Sequence, residues 1–215
     1  MESSIYVFKD INDAVRRLEK YGNTFIFPSI DINRTDIIKN CVTSNVFRAF
    51  HLIDNKPSVL FRTWADVEFD NIVKGLQKIK QQEEFDNLIT EKADSLIKYW
   101  ADNVSDSSQF LIYGHSIKMV NLLIKALQES KHFSQKRLIK FQHVPFDSYS
   151  LKPLINIINE LANKQFSISI PTNVSMKFVN CPEIYWILTE SIISLSKKAG
   201  ISPIVYDYWS WNDKH

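Results

Sequence analysis

Tyr113-Gly114-His115-Ser116-Ile117-Lys118-Met119-Val120-Asn121-Leu122-Leu123-Ile124-Lys125 is the stretch on which the fold reading turns. Gly114 suits a turn, and from Lys118 onward the pattern becomes helical: Lys118, Asn121, Leu122 and Lys125 fall at spacings that share one helix face. The reading is therefore a glycine turn opening an α-helix, with Lys118 in about its first turn. A helix N-terminus carries the positive pole of the macrodipole, and both that pole and desolvation disfavour a charged ammonium there. Lys118 is thus a candidate amine nucleophile. Its plainer alternative is a solvated helix lysine.

Outward from this helix the pattern remains helical. Val67 to Trp100 repeats apolar residues at helical spacing, with Ile72, Leu76 and Ile79 in one run and Leu88, Ala93, Leu96, Ile97 and Trp100 in the next, which predicts two helices. Asp10 can cap a helix bearing Ile11, Ala14, Val15 and Leu18 that stops near Gly22, and another helix is predicted after Asn33. Ile5–Phe8, Thr24–Ile30 and Phe166–Ile170 are the short-strand candidates. With only four glycines and neither GxGxxG nor GxxxxGK[ST], a glycine-rich nucleotide loop is disfavoured. The fold class is mainly α. The polar stretch Asp102–Ser108 divides an N-terminal helical region, 1–108, from 109–215, with the two halves expected to pack as one integrated unit.

The chain has 215 residues, of which 45% are hydrophobic, ample for a core. Its 26 Lys+Arg and 24 Asp+Glu give a net charge of +2, excluding a polycation or an acidic tail. Any nucleic-acid surface must be local, and Gly114–Phe146 supplies a candidate: Lys118, Lys125, Lys131, Lys136, Arg137 and Lys140 stand against Glu129 alone. No apolar run approaches the roughly 20 residues of a membrane span. Met-Glu-Ser-Ser-Ile lacks the basic start of a secretory signal, so a cytoplasmic location is expected. Cys41 and Cys181 form no CxxC or Cys/His cluster, so neither a metal site nor another cofactor is expected, and both are read as small core residues.

Two further stretches can carry chemistry. In Val144-Pro145-Phe146-Asp147-Ser148-Tyr149, Pro145 enforces an extended approach and Asp147 can cap a helix running to about Leu161. A carboxylate there can also stabilise developing positive charge. In Gly200-Ile201-Ser202-Pro203-Ile204-Val205-Tyr206-Asp207-Tyr208-Trp209-Ser210-Trp211, an acid and an indole four residues apart can build a base pocket, one by hydrogen bonding and one by stacking, or can belong to the core.

In their order these elements resemble the helix-hairpin-helix DNA glycosylases, in which a hairpin turn precedes a Lys-x-x-Asn helix and a Val-Pro-x-Asp motif follows. Gly114, Lys118, Asn121 and Asp147 are the matching residues. The 29-residue separation of Lys118 and Asp147 is long for that superfamily and is similar to that of its archaeal 8-oxoguanine glycosylase branch, whose C-terminal Gly-Ile-Pro-Pro-Leu-His-x-Asp motif resembles the segment from Gly200 through Asp207, with Trp211 following. The resemblance covers about Phe110 to Trp211. Two departures stand out: Tyr113-Gly114-His115-Ser116 replaces the usual Gly-x-Gly, and Leu122 stands where that branch carries an aromatic.

The resemblance implies a two-lobed helical fold and a DNA glycosylase with abasic-site lyase activity, acting on double-stranded DNA with a flipped modified nucleotide. It implies Lys118 as nucleophile and Asp147 as its charge-stabilising partner. Asp207, Trp211, Leu122 and Lys125 would line the base pocket, and Gly114, His115 and Ser116 would contact the DNA backbone. 8-Oxoguanine is the first expectation for the base. The room left by Leu122 opens the alternative of bulky modified bases in phage DNA, hence a defence role. The alternatives of a different class are a non-catalytic DNA-binding protein on the same scaffold and a helical protein with no nucleic-acid role.

Overall fold

The computed structural model describes residues 5–50, 56–162 and 168–212, with Ala49 described in its backbone only. Among them the α-helices are α1 (Ile11–Gly22), α2 (Arg34–Asn40), α3 (Ser44–Phe47), α4 (Pro57–Lys78), α5 (Gln82–Asn103), α6 (Tyr113–Glu129), α7 (Ser148–Leu151), α8 (Ile158–Leu161), α9 (Pro182–Lys198) and α10 (Pro203–Asn212). The protein is mainly α, and no helix among the described residues is long and apolar enough to cross a membrane. The chain divides into two compact units, one formed by Met1–Ile26 with Gln142–His215 and the other by Phe27–Phe141. The 108/109 division read from the sequence falls inside the second unit.

The Phe27–Phe141 unit is built on α4, α5 and α6. Their apolar positions recur every three or four residues, as the sequence predicts: Trp64, Phe69, Ile72 and Leu76 on α4, then Phe85, Ile89, Ala93, Leu96 and Trp100 on α5, are all buried. Each large side chain removed from water contributes about 1.5–3 kcal/mol. Pro57 starts α4, where its missing N–H costs nothing. Gln81 and Glu84 form the capping box of α5. The α4–α5 turn brings Gly75 so close to Leu88 that a Cβ at Gly75 would lie 2.9 Å from Leu88 Cδ1.

The charged groups of this unit are placed as deliberately. Lys92 is buried and ion-paired to Glu68 at 3.0 Å and Glu91 at 2.8 Å, and these carboxylates raise its pKa against the opposing pull of desolvation. Arg137 donates to the carbonyls of Ile79, Gln77 and Leu76, closing the C-terminus of α4. One of the cations in the basic stretch of the sequence is therefore a helix cap. Ser116 Oγ donates to Ala93 O at 2.6 Å and ties α6 to α5.

In the other unit α1, α9 and α10 pack together with α7 and α8. Asp10 caps α1 through Asp13 N–H, as its position predicts. The end of α9 has the hydrogen bonds of a Schellman turn: Ile201 N–H donates to Ser196 O at 3.0 Å and Gly200 N–H to Lys197 O at 3.4 Å, with Gly200 at φ 66°. A Gly200→Ala substitution puts a Cβ into that left-handed conformation and is expected to cost about 1 kcal/mol, measurable as a lowered midpoint in urea unfolding followed by circular dichroism.

Asp13 is a buried carboxylate in the same unit. It accepts from Tyr6 Oη at 2.7 Å, Lys9 N–H at 3.2 Å, Arg16 at 2.9 Å and Arg17 at 3.1 Å. Desolvation pushes its pKa up, but the donors together outweigh it and hold the carboxyl well below its ordinary value. A depressed folded value stabilises the protein above the unfolded pKa of about 3.9, and the contribution is lost as pH falls below it. The melting-temperature gap between wild type and Asp13→Asn should therefore narrow from pH 6 to pH 2.5. A constant gap would refute this role for the ionised group.

The structure corrects several local expectations. Ile5–Phe8 is no strand: Phe8 N–H bonds to Pro153 O at 3.0 Å and Phe8 O accepts from Asn156 at 3.0 Å, single contacts to a turn that offers no ladder. Thr24–Ile30 is likewise irregular apart from one parallel bridge between Ile30 and Ser130. Of Phe166–Ile170, the first two residues lie outside the described residues, and Ile168–Ile170 carries no strand. The helix opened by Asp147 stops at Leu151, because Pro153 interrupts it and the chain resumes as α8. Cys41 and Cys181 are half-buried, at helix ends, rather than core residues.

Candidate functional site

Asp147 stands at the N-cap of α7, reached through the extended Val144-Pro145 approach. Its Oδ1 accepts from Tyr149 N–H at 2.8 Å and Ser150 N–H at 3.2 Å, while its own N–H donates to Ser150 Oγ at 2.8 Å. The carboxylate is therefore fixed in direction and buried. Its capping role, expected from the sequence, is present together with burial, and burial is unusual for an N-cap on a surface helix.

The C-terminal helix delivers the second carboxylate to the same place. After the Gly200 turn, Pro203 opens α10, and Tyr206 points its hydroxyl to Ser150 O at 2.6 Å. Tyr206 is fully buried. Desolvation pushes its phenol well above the usual value, and the nearby charges of Asp147 and Asp207 push it further in the same direction. It is a permanent donor that fastens α10 to the Asp147 turn. Asp207, the adjacent residue, is 1% exposed. One helical turn on, the Trp211 ring lies 4.5 Å from that of Tyr149 at 44°, and Trp211 is 37% exposed. Asp147, Asp207 and Trp211 are thereby gathered around α7 and α10 within one unit, although 60 residues separate the two aspartates in sequence.

Lys118, Leu122 and Lys125 lie on α6 and belong to the Phe27–Phe141 unit. Lys118 is 7% exposed, and Lys92 is equally buried while serving a structural ion pair, so burial by itself does not make a nucleophile. What separates the two lysines is position: Lys118 is the sixth residue of α6, in its second turn and not the first turn expected from the sequence, whereas Lys92 is the eleventh residue of a 22-residue helix. Leu122 and Lys125 line a cavity of about 220 Å³ together with Ile37 and Cys41, with Asp36 and Glu129 also in its wall. Lys118 is absent from that lining. That cavity is lined by neither Asp207 nor Trp211, with which Leu122 and Lys125 were expected to share a base pocket.

Gly114, His115 and Ser116 are placed differently from the expectation. The helix already begins at Tyr113, so Gly114 is in its first turn rather than in a hairpin, and all three residues are buried. The His115 ring packs edge-on to Phe50 at 4.9 Å, and Ser116 is spent on Ala93. Buried side chains committed to interior packing do not present a surface to a DNA backbone. Without the second glycine of Gly-x-Gly, nothing in this sequence demands a left-handed turn there.

Sequence reasoning missed Tyr149, Ser150 and Tyr206, which build the scaffold around the carboxylates. The available signal was the polar-aromatic run after Asp147 and the Tyr206-Asp207 pair, in which a buried carboxylate calls for donors close by. It also missed His143, whose Nδ1 lies 2.7 Å from the Tyr185 hydroxyl in the buried approach to Asp147. Set beside protein-family models, curated proteins and solved structures, the chain matches none.

Proposed function

We propose that the protein is a DNA N-glycosylase of the helix-hairpin-helix kind, removing an oxidised or otherwise modified base and cleaving at the abasic site. The observation that carries this reading is the meeting of Asp147, Asp207 and Trp211 around Tyr206 and Tyr149. Two motifs far apart in sequence supply the parts a base-excision site needs: a directed carboxylate for sugar charge, a second carboxylate for the base edge and an indole for its face. The buried lysine near the start of α6 is consistent with the nucleophile such chemistry requires.

In this mechanism the Lys118 amine adds to the anomeric carbon as the bond from sugar to base breaks. Asp147 offsets the positive charge on the sugar, and the proton released from the lysine nitrogen leaves with the departing base. Ring opening gives an imine between Lys118 and the sugar, and loss of the proton beside it expels the 3′ phosphate and nicks the strand. Asp207 accepts hydrogen bonds from the flipped base, and Trp211 stacks on it. The target is 8-oxoguanine or, with Leu122 in place of an aromatic, a bulkier base of the kind phage DNA carries.

Borohydride trapping on duplexes containing 8-oxoguanine, uracil, an abasic site or a bulky modified cytosine tests the reading. A covalent complex is expected, and the duplex that traps best names the substrate class. Salt-sensitive duplex binding with neither trapping nor free base would replace the enzyme by a DNA-binding protein.

A further inference from the structure

We infer that the end of α4 and the Lys136–Phe141 segment together form a docking surface for the sugar-phosphate backbone of a nucleic-acid duplex. The two stretches are distant in sequence, and Arg137 joins them by donating to the carbonyls of Leu76, Gln77 and Ile79. Gln82 Nε2 adds a bond to Phe141 O at 3.1 Å, so the segment is fastened near both of its ends. This clamp gathers Lys78, Lys80, Lys136 and Lys140 at one edge of the Phe27–Phe141 unit, with Lys74 one helical turn before Lys78. All five lysines are exposed.

Cations near a helix C-terminus ordinarily answer the negative pole of the macrodipole. Arg137 already fills that role for α4, so the five ammonium groups are not needed for it. None of them is ion-paired among the described residues. Two of the acids nearest in sequence are engaged elsewhere: Asp70 is held by Arg34 at 3.3 Å, and Glu84 Oε2 accepts from the backbone N–H groups of Lys80 at 2.6 Å and Gln81 at 3.3 Å. Glu83, the other acid in the first turn of α5, pairs with none of the five. Like charges brought together repel each other, and a polyanion laid across them turns that repulsion into attraction. In a chain of net charge +2 this is a local excess.

The make-up of the surface selects the polyanion. Among the described residues no exposed large apolar side chain lies on 74–80 or 136–141, so nothing there would enter a bilayer. Protein interfaces are depleted in lysine, whereas the exposed groups here are ammoniums. A phosphate backbone requires cations spread over an open face, and this surface supplies them. It also takes the place of the first turn of α6, whose burial keeps it from DNA. The inference concerns binding alone and holds whether or not the protein excises bases.

The test uses the full chain and an unmodified DNA duplex, with affinity read by fluorescence anisotropy across a salt series. Lys78→Gln/Lys80→Gln and Lys136→Gln/Lys140→Gln are compared with wild type and with Lys197→Gln/Lys198→Gln, which removes the same charge from the end of α9. Each of the first two should weaken duplex binding about tenfold and reduce the slope of log affinity against log salt by about 2, roughly 1 for each lost phosphate contact. The α9 variant should leave the slope unchanged. A loss in only one of the two pairs would show that the stretches do not act as one surface, and equal losses in all three variants would reduce the effect to net charge. Either result overturns the inference, as does duplex binding that no variant alters while circular dichroism melting confirms that each is folded. Wild type that binds no duplex but binds vesicles of phosphatidylserine and phosphatidylcholine would assign the cations to a membrane, and binding to neither would leave the surface without a polyanion; both overturn the nucleic-acid partner. Excision assays play no part, so the outcome is independent of trapping at Lys118.

Discussion

Lys118→Gln is expected to abolish the borohydride-trapped complex and to slow single-turnover base release on the order of 10³-fold or more, because no other group can replace a nucleophile that forms the covalent bond. Duplex binding should fall by no more than the loss of one charge allows, since the side chain is 7% exposed and contributes little to a surface field. Asp147→Asn should depress turnover while leaving some trapping, since it removes charge stabilisation and keeps the amine. The pair of results separates two roles that a single inactive variant would confuse. Full activity in both would show that neither residue carries the chemistry, and the proposed site would be wrong. Trapping retained in Lys118→Gln would point to another amine as nucleophile.

The largest expected loss of stability lies in the Phe27–Phe141 unit, at Trp100. Its side chain is fully buried, its indole N–H donates to Gln109 O at 3.0 Å and its ring meets Phe50 at 5.0 Å. Trp100→Ala removes that packing and should cost about 3–5 kcal/mol for the cavity. Leaving a buried carbonyl unsatisfied adds about 1–3 kcal/mol. Trp100→Phe keeps much of the volume and should cost distinctly less. Urea unfolding followed by circular dichroism ranks the two, and equal losses would mean that the hydrogen bond, rather than the volume, dominates.

These predictions draw unequally on the sequence. The α4–α5 pair was legible because Leu76, Leu96 and Trp100 recur at a spacing that only a helix buries on one side, and Asp10 and Asn33 announced their helices by capping them. The same periodicity misplaced the start of α6. Gly114 tolerates both turn and helix, and what made it helical was the burial of its whole first turn, which depends on distant partners. Likewise Asp147 could be read as a cap from its neighbours, whereas the arrest of its helix at Leu151 needed Pro153 to be weighed above the apolar run that follows. At the site, the residue types were readable. Their meeting was not, because the bond between Tyr206 and Ser150 spans 56 positions and leaves no periodic trace.

The way the sequence threads through the two units also sets a timetable for synthesis. All of Phe27–Phe141 is contiguous and can complete its contacts while the rest of the chain is still being made. The first helix cannot, because α1 packs on α9 and α10, and Phe8 just ahead of it finishes stacked on Trp209, with ring centroids 4.7 Å apart, a partner made 201 residues later. At ordinary translation speeds of about 5–20 residues per second, α1 waits roughly 10–40 s with its apolar face uncovered. A nascent chain of this protein should therefore gain protease resistance in two steps, the middle early and both ends together.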